Sequence, residues 1–119
     1  MQHPTEAELT RTLGALADPT RRAILNTLRR GRMRVTEVAE PFDLSLNAVS
    51  KHIAVLERAG LIEREVRGRE HFLTLNPAPL DAAGAWIEET ARFWSERLNN
   101  LERVLEKSRR RRRPRSKSS

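Results

Sequence analysis

The first part of the chain places apolar residues with the period of an α-helix. Leu9, Leu13 and Leu16 stand at i, i+4 and i+7, which predicts an amphipathic helix. A second helix is expected to begin directly behind it, because Asp18 is a good N-cap and Pro19 suits the first helical position. Two helices therefore precede the central region of the chain.

The central region predicts a short helix, a tight connection and a longer helix. Thr36 is the expected N-cap of the short helix, which holds only two turns because Pro41 disfavours its continuation. The segment "DLSLNAVSKHIAVLERAGLI" specifies both ends of the next helix, over residues 46–59, with Ser45 as N-cap and Gly60 as the stop. Two helices joined by so short a connection form a helix-turn-helix.

Behind these helices the apolar period changes to strict alternation. Residues 62–75 alternate around Gly68 and predict a β-hairpin, with Ile62 and Val66 on one face. One long helix is then expected from residue 80 to about 107. The predicted fold class is mainly α with a small β-hairpin, a dimeric winged helix-turn-helix with the order α-α-α-α-β-β-α.

The last helix carries a coiled-coil seam made of two seven-residue series, Leu80, Ile87, Trp94, Leu101 and Gly84, Ala91, Leu98, Leu105. The seam can pack on the first helix of the same chain or on a second chain. Because it is longer than the first helix can cover, we expect a homodimer. The expected interface comprises Leu9, Leu13, Ile87, Trp94, Leu98, Leu101 and Leu105.

The positive charge is concentrated at the C-terminus. The net charge of the 119 residues is +7, but residues 107–119 hold eight Lys/Arg and no acid, and the remainder holds 15 bases against 16 acids. The remainder is therefore close to neutral, at −1. We expect a folded domain over residues 1–106 and a disordered, low-complexity basic tail over 107–119.

Other compositional features exclude several classes of protein. No apolar run approaches the roughly 20 residues of a membrane span, and the N-terminus lacks the apolar region of a signal peptide. The expected location is cytoplasmic, without a membrane partner. There is no cysteine, so disulfides and thiolate metal sites are excluded.

The helix over residues 46–59 has two chemically different faces. Val49, Ile53 and Leu56 share the face that must pack on a core, and Asn47 and Lys51 lie opposite. A recognition helix needs this arrangement, since its N-terminal residues reach base edges in the major groove of DNA. Asn47 can pair with adenine, and Lys51 can reach guanine or a phosphate. A merely solvated face is the alternative interpretation.

Several neighbouring residues extend this candidate site. The hydroxyls of Ser45 and Ser50 suit phosphate oxygens. His52 flanks the apolar face and is either a backbone contact or a structural histidine. Arg67 and Arg69 stand at the hairpin tip, where a wing would cross the DNA backbone, although basic hairpin tips are often just soluble loops.

The segments "ADPTRRAIL" and "VSKHIAVLERAGLI" make residues 5–100 resemble the ArsR-type (ArsR/SmtB) winged helix-turn-helix transcriptional regulators. The resemblance implies a homodimer formed by the first and last helices, a palindromic operator of double-stranded DNA, and repression as the usual role. It also implies that the helix beginning at Leu46 reads the operator. The candidate DNA-binding residues are Ser45, Leu46, Asn47, Ser50, Lys51, His52, Arg67 and Arg69. A protein bound to this partner would be associated with the nucleoid.

The chain departs from the metal-sensing members that it resembles. Those members carry a cysteine pair near the third helix, or histidine and carboxylate ligands on the last helix. Here the matching stretch "RVTEVAEPF" has no cysteine and the last helix has no histidine. We therefore expect no bound metal, and the sequence does not indicate which signal, if any, the protein senses. The aromatic stripe of Trp86, Phe93 and Trp94 could line a cofactor pocket, but such stripes are usually core, so no cofactor is expected.

Two further functions compete with that of a sequence-specific regulator. A low-specificity nucleic-acid-binding or architectural protein could act mainly through the arginine-rich tail. An enzyme is disfavoured, because the sequence shows no Gly-rich phosphate loop, no nucleophile–base pair and no metal cluster.

Overall fold

The described part of the chain, residues 3–112 of a computed structural model, is mainly helical with one small sheet. The helices are α1 (Glu6–Leu16), α2 (Pro19–Leu28), α3 (Val35–Ala39), α4 (Leu46–Arg58) and α5 (Ala78–Arg112). The strands are β1 (Met33–Arg34), β2 (Ile62–Arg67) and β3 (Glu70–Leu75). The chain divides into two units, one ending at Trp86 and the other beginning at Ile87.

Asp18 and Arg21 satisfy free backbone groups at the junction between α1 and α2. The Asp18 carboxylate accepts a hydrogen bond from the Arg21 backbone N–H at 3.0 Å, which confirms Asp18 as the N-cap. The Arg21 guanidinium donates to the carbonyl of Ala15 at 2.7 Å and to that of Gly14 at 3.1 Å. A cation is favourable there, because the last carbonyls of a helix carry partial negative charge.

Both predicted ends of α4 are confirmed. The Ser45 hydroxyl accepts a hydrogen bond from the N–H of the third helical residue at 3.1 Å. At the other end Gly60 has φ of 74°, and its N–H donates to the Glu57 carbonyl at 2.9 Å. The Leu61 N–H donates to the Leu56 carbonyl at 3.0 Å, which completes a Schellman motif. The position of the helix along the chain is thus fixed by local chemistry.

The predicted start of the short third helix was wrong. Thr36 was expected as N-cap, but Arg34 is the N-cap and α3 begins at Val35, two residues earlier than expected. The side chain of Glu37 accepts the backbone N–H of Arg34 at 3.1 Å. The glutamate at the third helical position therefore satisfies the free N–H from inside the helix.

The sheet has three antiparallel strands in the order β1-β3-β2, where the sequence predicted only the hairpin. The hairpin itself is confirmed, with Ile62 opposite Leu75 and Arg67 opposite Glu70. Strand β1 is only two residues long, which is too short for an alternating pattern. Val66 is 56% exposed, so only one of the two apolar residues predicted on the same face, Ile62, joins the core.

The core of the first unit forms around α4. The predicted inner face of α4, formed by Val49, Ile53 and Leu56, has no exposed surface. It belongs to one cluster with fully buried residues of α2, α3, the turn after α4 and β3, which are Ile24, Val38, Leu61 and Leu73 respectively. Burying one such side chain contributes about 1.5–3 kcal/mol. The packing therefore holds α4 by one face and leaves its other face to solvent.

Helix α5 begins two residues before the expected Leu80. The side-chain oxygen of Asn76 accepts the N–H of Ala78 at 3.2 Å. The Asn76 side-chain amide also donates to the Gly60 carbonyl at 3.0 Å. One asparagine thus links the start of α5 to the end of α4.

The expected disordered tail was wrong for residues 107–112, because α5 continues to Arg112. Arginine is a good helix former, and Arg110 stands one turn beyond Glu106, at 3.9 Å between the charged atoms. The remainder of the predicted tail, residues 113–119, lies outside the described residues.

The cap of α2 should make stability depend on pH. The hydrogen bond from the Arg21 N–H holds the pKa of Asp18 below its ordinary value, and the charges of His52 and Arg21 act in the same direction. A depressed folded pKa gives stability that is present above the unfolded value of about 3.9 and lost as the pH falls through the folded value. Asp18→Asn keeps a capping side chain but cannot titrate.

We therefore expect the stability advantage of the wild type over Asp18→Asn to be present above about pH 4 and to shrink as the pH falls below that value. Urea denaturation followed by tryptophan fluorescence at each pH measures the difference. Asp43→Asn, at an exposed position outside any helix, controls for the loss of one negative charge. A difference that stays constant down to pH 3 would contradict the expectation.

Candidate nucleic-acid interface

The outer face of α4 presents polar side chains that have no role in the fold. Asn47 and Lys51 are exposed, and neither side chain has a hydrogen-bond or ion-pair partner within residues 3–112. Leu46 begins the helix and is 52% exposed, whereas Ser50 is half-buried. The amide and the ammonium group are therefore available to an external ligand.

Ser45 has a structural role that leaves part of its capacity free. Its hydroxyl oxygen accepts the hydrogen bond of the N-cap. The hydroxyl hydrogen can still donate to an anionic oxygen, because a serine hydroxyl is both acceptor and donor. Ser45 can thus cap the helix and contact a phosphate at once.

His52 lies at the junction of α1, α2 and α4, with only 25% of its side chain exposed. Its Nδ1 is 3.3 Å from an Arg21 guanidinium nitrogen and 3.9 Å from a carboxylate oxygen of Asp18. The guanidinium can only donate, so Nδ1 is the acceptor, and 3.9 Å is too long for a hydrogen bond to Asp18. These contacts favour the structural interpretation of His52.

Arg67, at the end of β2, is paired within the hairpin. Its Nε lies 2.9 Å from an Oε of Glu65, and Arg32 approaches the other oxygen at 3.3 Å. The hydrogen bond from Arg67, followed by the nearby positive charges, holds the pKa of Glu65 below its ordinary value. All three side chains are largely exposed, so these pairs are weak and can be exchanged for a phosphate.

The other two arginines of the hairpin differ sharply from each other. Arg69, in the two-residue turn, has no hydrogen-bond or ion-pair partner in the described part of the chain. Arg64 donates to both carboxylate oxygens of Glu57 in α4, at 2.6 and 3.2 Å, and its third contact is His71 Nδ1 at 3.0 Å. Arg64 therefore ties the hairpin to α4, and Arg69 is the free cation of the wing.

Strand β1 and the residue before it contribute two arginines that the sequence had not singled out. Arg32 lies over the ring of Phe72 at 4.7 Å, and Arg34 lies 5.8 Å from the same ring. Arg34 also pairs with Glu70 at 3.3 Å. These contacts brace the hairpin beside α4, and only the pairing of β1 with β3 brings them together.

The second unit, helix α5 from Ile87 onward, exposes an apolar stripe. The seam residues predicted for a dimer are each 46–58% exposed: Ile87, Trp94, Leu98, Leu101 and Leu105. In the first unit Leu13 is half-buried, whereas Leu9 is only 6% exposed and is therefore packed within its own chain. Leu9 can offer little surface to a second chain.

Residues 3–112 form neither a metal-binding cluster nor a membrane-spanning helix. No group of three or more His, Cys, Asp or Glu side chains there is arranged to hold a metal ion. None of the helices there combines the length and apolar character needed to cross a membrane.

Comparisons with known proteins agree with this geometry. A helix-turn-helix domain model matches residues 16–65. Transcriptional repressor SdpR of Bacillus subtilis is 34% identical over 73 residues, and the match covers 61% of this chain and 81% of SdpR. HTH-type transcriptional regulator Rv2034 of Mycobacterium tuberculosis is 35% identical over 92 residues, and the match covers 77% of this chain and 83% of Rv2034.

A solved structure of a transcriptional regulator also resembles this chain in its fold. The ArsR-like transcriptional regulator from Rhodococcus sp. RHA1 superposes with a TM-score of 0.73 at 31% identity. The match covers 82% of this chain and 92% of that one. The likeness therefore includes the hairpin and sheet as well as the helix-turn-helix.

Proposed function

The chain belongs to the ArsR-type family of winged helix-turn-helix transcriptional regulators, and from this premise we propose that it is a homodimeric repressor of a palindromic DNA operator. In this proposal α4 enters the major groove and the hairpin acts as the wing. The proposal concerns assembly, operator symmetry and the sign of regulation; DNA binding and transcription regulation are properties of the family.

The observation that carries the proposal is the division of α4 into a fully buried face and an unpartnered polar face. Val49 and Ile53 are wholly buried, while the exposed side chains of Asn47 and Lys51 have no partner within residues 3–112. An asparagine amide can donate and accept together, as adenine N6 and N7 require. A lysine ammonium reaches guanine O6 and N7 or a phosphate.

The remaining contacts concern the DNA backbone. Ser45 and Ser50 suit phosphate oxygens beside the start of α4, and Leu46 lies at the same helix end. Arg69 offers a guanidinium at the wing that is unpaired within residues 3–112, and Arg67 offers one whose pair with Glu65 is exposed. His52 contributes by holding α4 in place.

The homodimer is supported by the exposed apolar stripe of α5. Monomeric proteins rarely expose a contiguous apolar patch of more than a few hundred Å². The seam residues have the heptad spacing by which two helices pack together, and Leu13 on α1 adds a partly exposed apolar residue. Two recognition helices related by a two-fold axis would read half-sites roughly 34 Å apart.

Repression and location follow from the relatives and the partner. The curated relative from Bacillus subtilis is named a transcriptional repressor. We extend that role to this chain, and we place it in the cytoplasm, associated with the nucleoid, because its partner is chromosomal DNA. No catalytic role is part of the proposal.

The alternative is low-specificity binding through the C-terminal bases. It is favoured by residues 107–112, which place five Lys/Arg and no acid on six consecutive helical positions. A run of bases without a defined pattern attracts phosphates but cannot distinguish base pairs.

A chain ending at Glu106 separates the two functions. We expect it to select the same operator as the full chain from a pool of random duplexes. Its affinity should be lower, with a shallower dependence on salt, by about 0.9 in the slope for each phosphate that it no longer neutralises. Affinity measured by fluorescence anisotropy on operator and random duplexes over a salt series provides the test. If truncation abolished the preference for the operator, the low-specificity function would replace the proposed one.

Asn47→Ala tests direct base reading. The variant should lose roughly 1–3 kcal/mol of discrimination at one base pair of each half-site, while its affinity for random DNA is unchanged. Binding to a set of operators with every single base-pair substitution measures this. Asn26→Ala, at an exposed position of α2, is the matched control and should leave the preference intact. An unchanged base preference in Asn47→Ala would show that another residue reads the base.

Leu98→Asp tests the dimer seam. A charge at the centre of the seam should convert the dimer to a monomer, because an aspartate buried between two apolar helices would be desolvated without a partner. Sedimentation equilibrium measures the mass. Asn99→Asp adds the same charge one position along the helix, off the seam, and should remain dimeric. A dimer in both variants would place the interface elsewhere.

A further inference from the structure

A cleft of about 450 Å³ opens between the hairpin, the start of α3 and the start of α4. It is lined in part by Arg34, Thr36, Leu46, Arg69 and His71, and Arg64 also borders it. The lining carries three guanidinium groups against a single carboxylate, that of Glu70. The lining of the cleft is therefore more basic than acidic, although the body of the chain is close to neutral.

The contacts of Arg64 determine which nitrogen of His71 is free. Arg64 donates to His71 Nδ1 at 3.0 Å, and its guanidinium is held by two hydrogen bonds to Glu57. A guanidinium has no acceptor, so Nδ1 must be unprotonated and Nε2 must carry the ring hydrogen. His71 thus keeps one N–H donor, at Nε2, that is not used by Arg64.

The arginines of the lining have different duties. Arg34 is paired with Glu70, and Arg64 is paired with Glu57. Arg69 has no partner among residues 3–112, so its charge is uncompensated. A free guanidinium and a neutral N–H donor form the kind of pair that binds an anionic oxygen group.

The location of the cleft relates that anion to DNA. Leu46, the first residue of α4, lines the cleft, and Asn47, the proposed base-reading residue, follows it directly. Helix-turn-helix proteins hold their register through phosphate contacts that flank the bases they read. The free cation of the wing and the start of the recognition helix border the same space.

We propose that this cleft binds one phosphate group of the DNA backbone beside the bases read by α4, with Arg69 supplying the charge and His71 Nε2–H a hydrogen bond. The inference rests on the proposed function, because it requires α4 to enter the major groove. It assigns Arg64 and Glu57 as positioning residues, which orient the His71 ring without touching the phosphate.

Two variants isolate the proposed contacts. Arg69→Gln removes the free charge at an exposed turn position. His71→Asn retains an amide oxygen near the position of Nδ1, so that Arg64 keeps an acceptor, but it has no donor near the position of Nε2. Arg67→Gln is the matched control, because Arg67 belongs to the same hairpin but does not line the cleft. Thermal unfolding of each variant verifies that it is folded.

The probe is the selected operator with one phosphate at a time replaced by an uncharged methylphosphonate. In the wild type we expect one position per half-site, beside the bases read by α4, at which the replacement lowers the affinity because the cleft loses its phosphate contact. This loss of affinity is the penalty at that position. Arg69→Gln and His71→Asn should lose that penalty at that position only, and Arg69→Gln should lower the salt slope by about one unit per half-site. Arg67→Gln should keep the penalty at that position, although the loss of its own backbone contact should weaken operator binding as a whole.

The outcomes separate the inference from the proposed function. If both cleft variants keep the full wild-type penalty profile, the cleft does not bind phosphate, although operator selection by α4 can stand. If the wild type selects no operator, the proposed function fails. In that case, titration of the free protein with inorganic phosphate, followed at the His71 ring by NMR, tests whether the cleft binds free phosphate instead. A response in the wild type that is lost in Arg69→Gln would assign the cleft to free phosphate and overturn the DNA assignment.

Discussion

The burial of one face of α4 is the contact on which the rest of the structure depends. Val49, Ile53 and Leu56 have no exposed surface, so the helix cannot rotate about its axis without exposing them. Rotation would cost several kcal/mol, since each side chain contributes about 1.5–3 kcal/mol by its burial. Asn47 and Lys51 project outward because the opposite side is committed to the core.

Pairing within the chain determines which cations are left for a ligand. The folded body has a near-zero net charge, and several of its arginines make contacts within the chain. Arg21 completes the end of α1 and contacts His52, while Arg64 joins the hairpin to α4. Lys51 on α4 and Arg69 at the wing are among the cations left without partners within residues 3–112. A nearly neutral domain can in this way present positive charge at selected points, and the basic stretch that follows can add attraction without base preference.

Sequence reasoning succeeded where one local cause acts and failed where two distant segments cooperate. The caps at Asp18, Ser45 and Gly60 are local, and the structure confirms each of them. The apolar face of α4 was also predictable, since a 3.6-residue period needs no tertiary information. Strand β1 was missed because two residues show no period and form a strand only by pairing with β3. The tail was misjudged in part because low complexity was weighed above the helix propensity of arginine.

By itself, the sequence determined the helix-turn-helix, the hairpin and the identity of the polar residues on α4, because caps and apolar periods act within a few residues. The tertiary structure decided which of the basic residues are free. Arg64, Arg67 and Arg69 look alike along the chain, yet the first is tied to α4, the second is paired at the surface and the third is unpartnered within residues 3–112. Such a distinction depends on which partner lies beside each guanidinium group. The pairing of β2 with β3 places His71 beside Arg64, and Glu65 precedes Arg67 on the same strand. Only the packing of the hairpin against α4 brings Glu57 to Arg64.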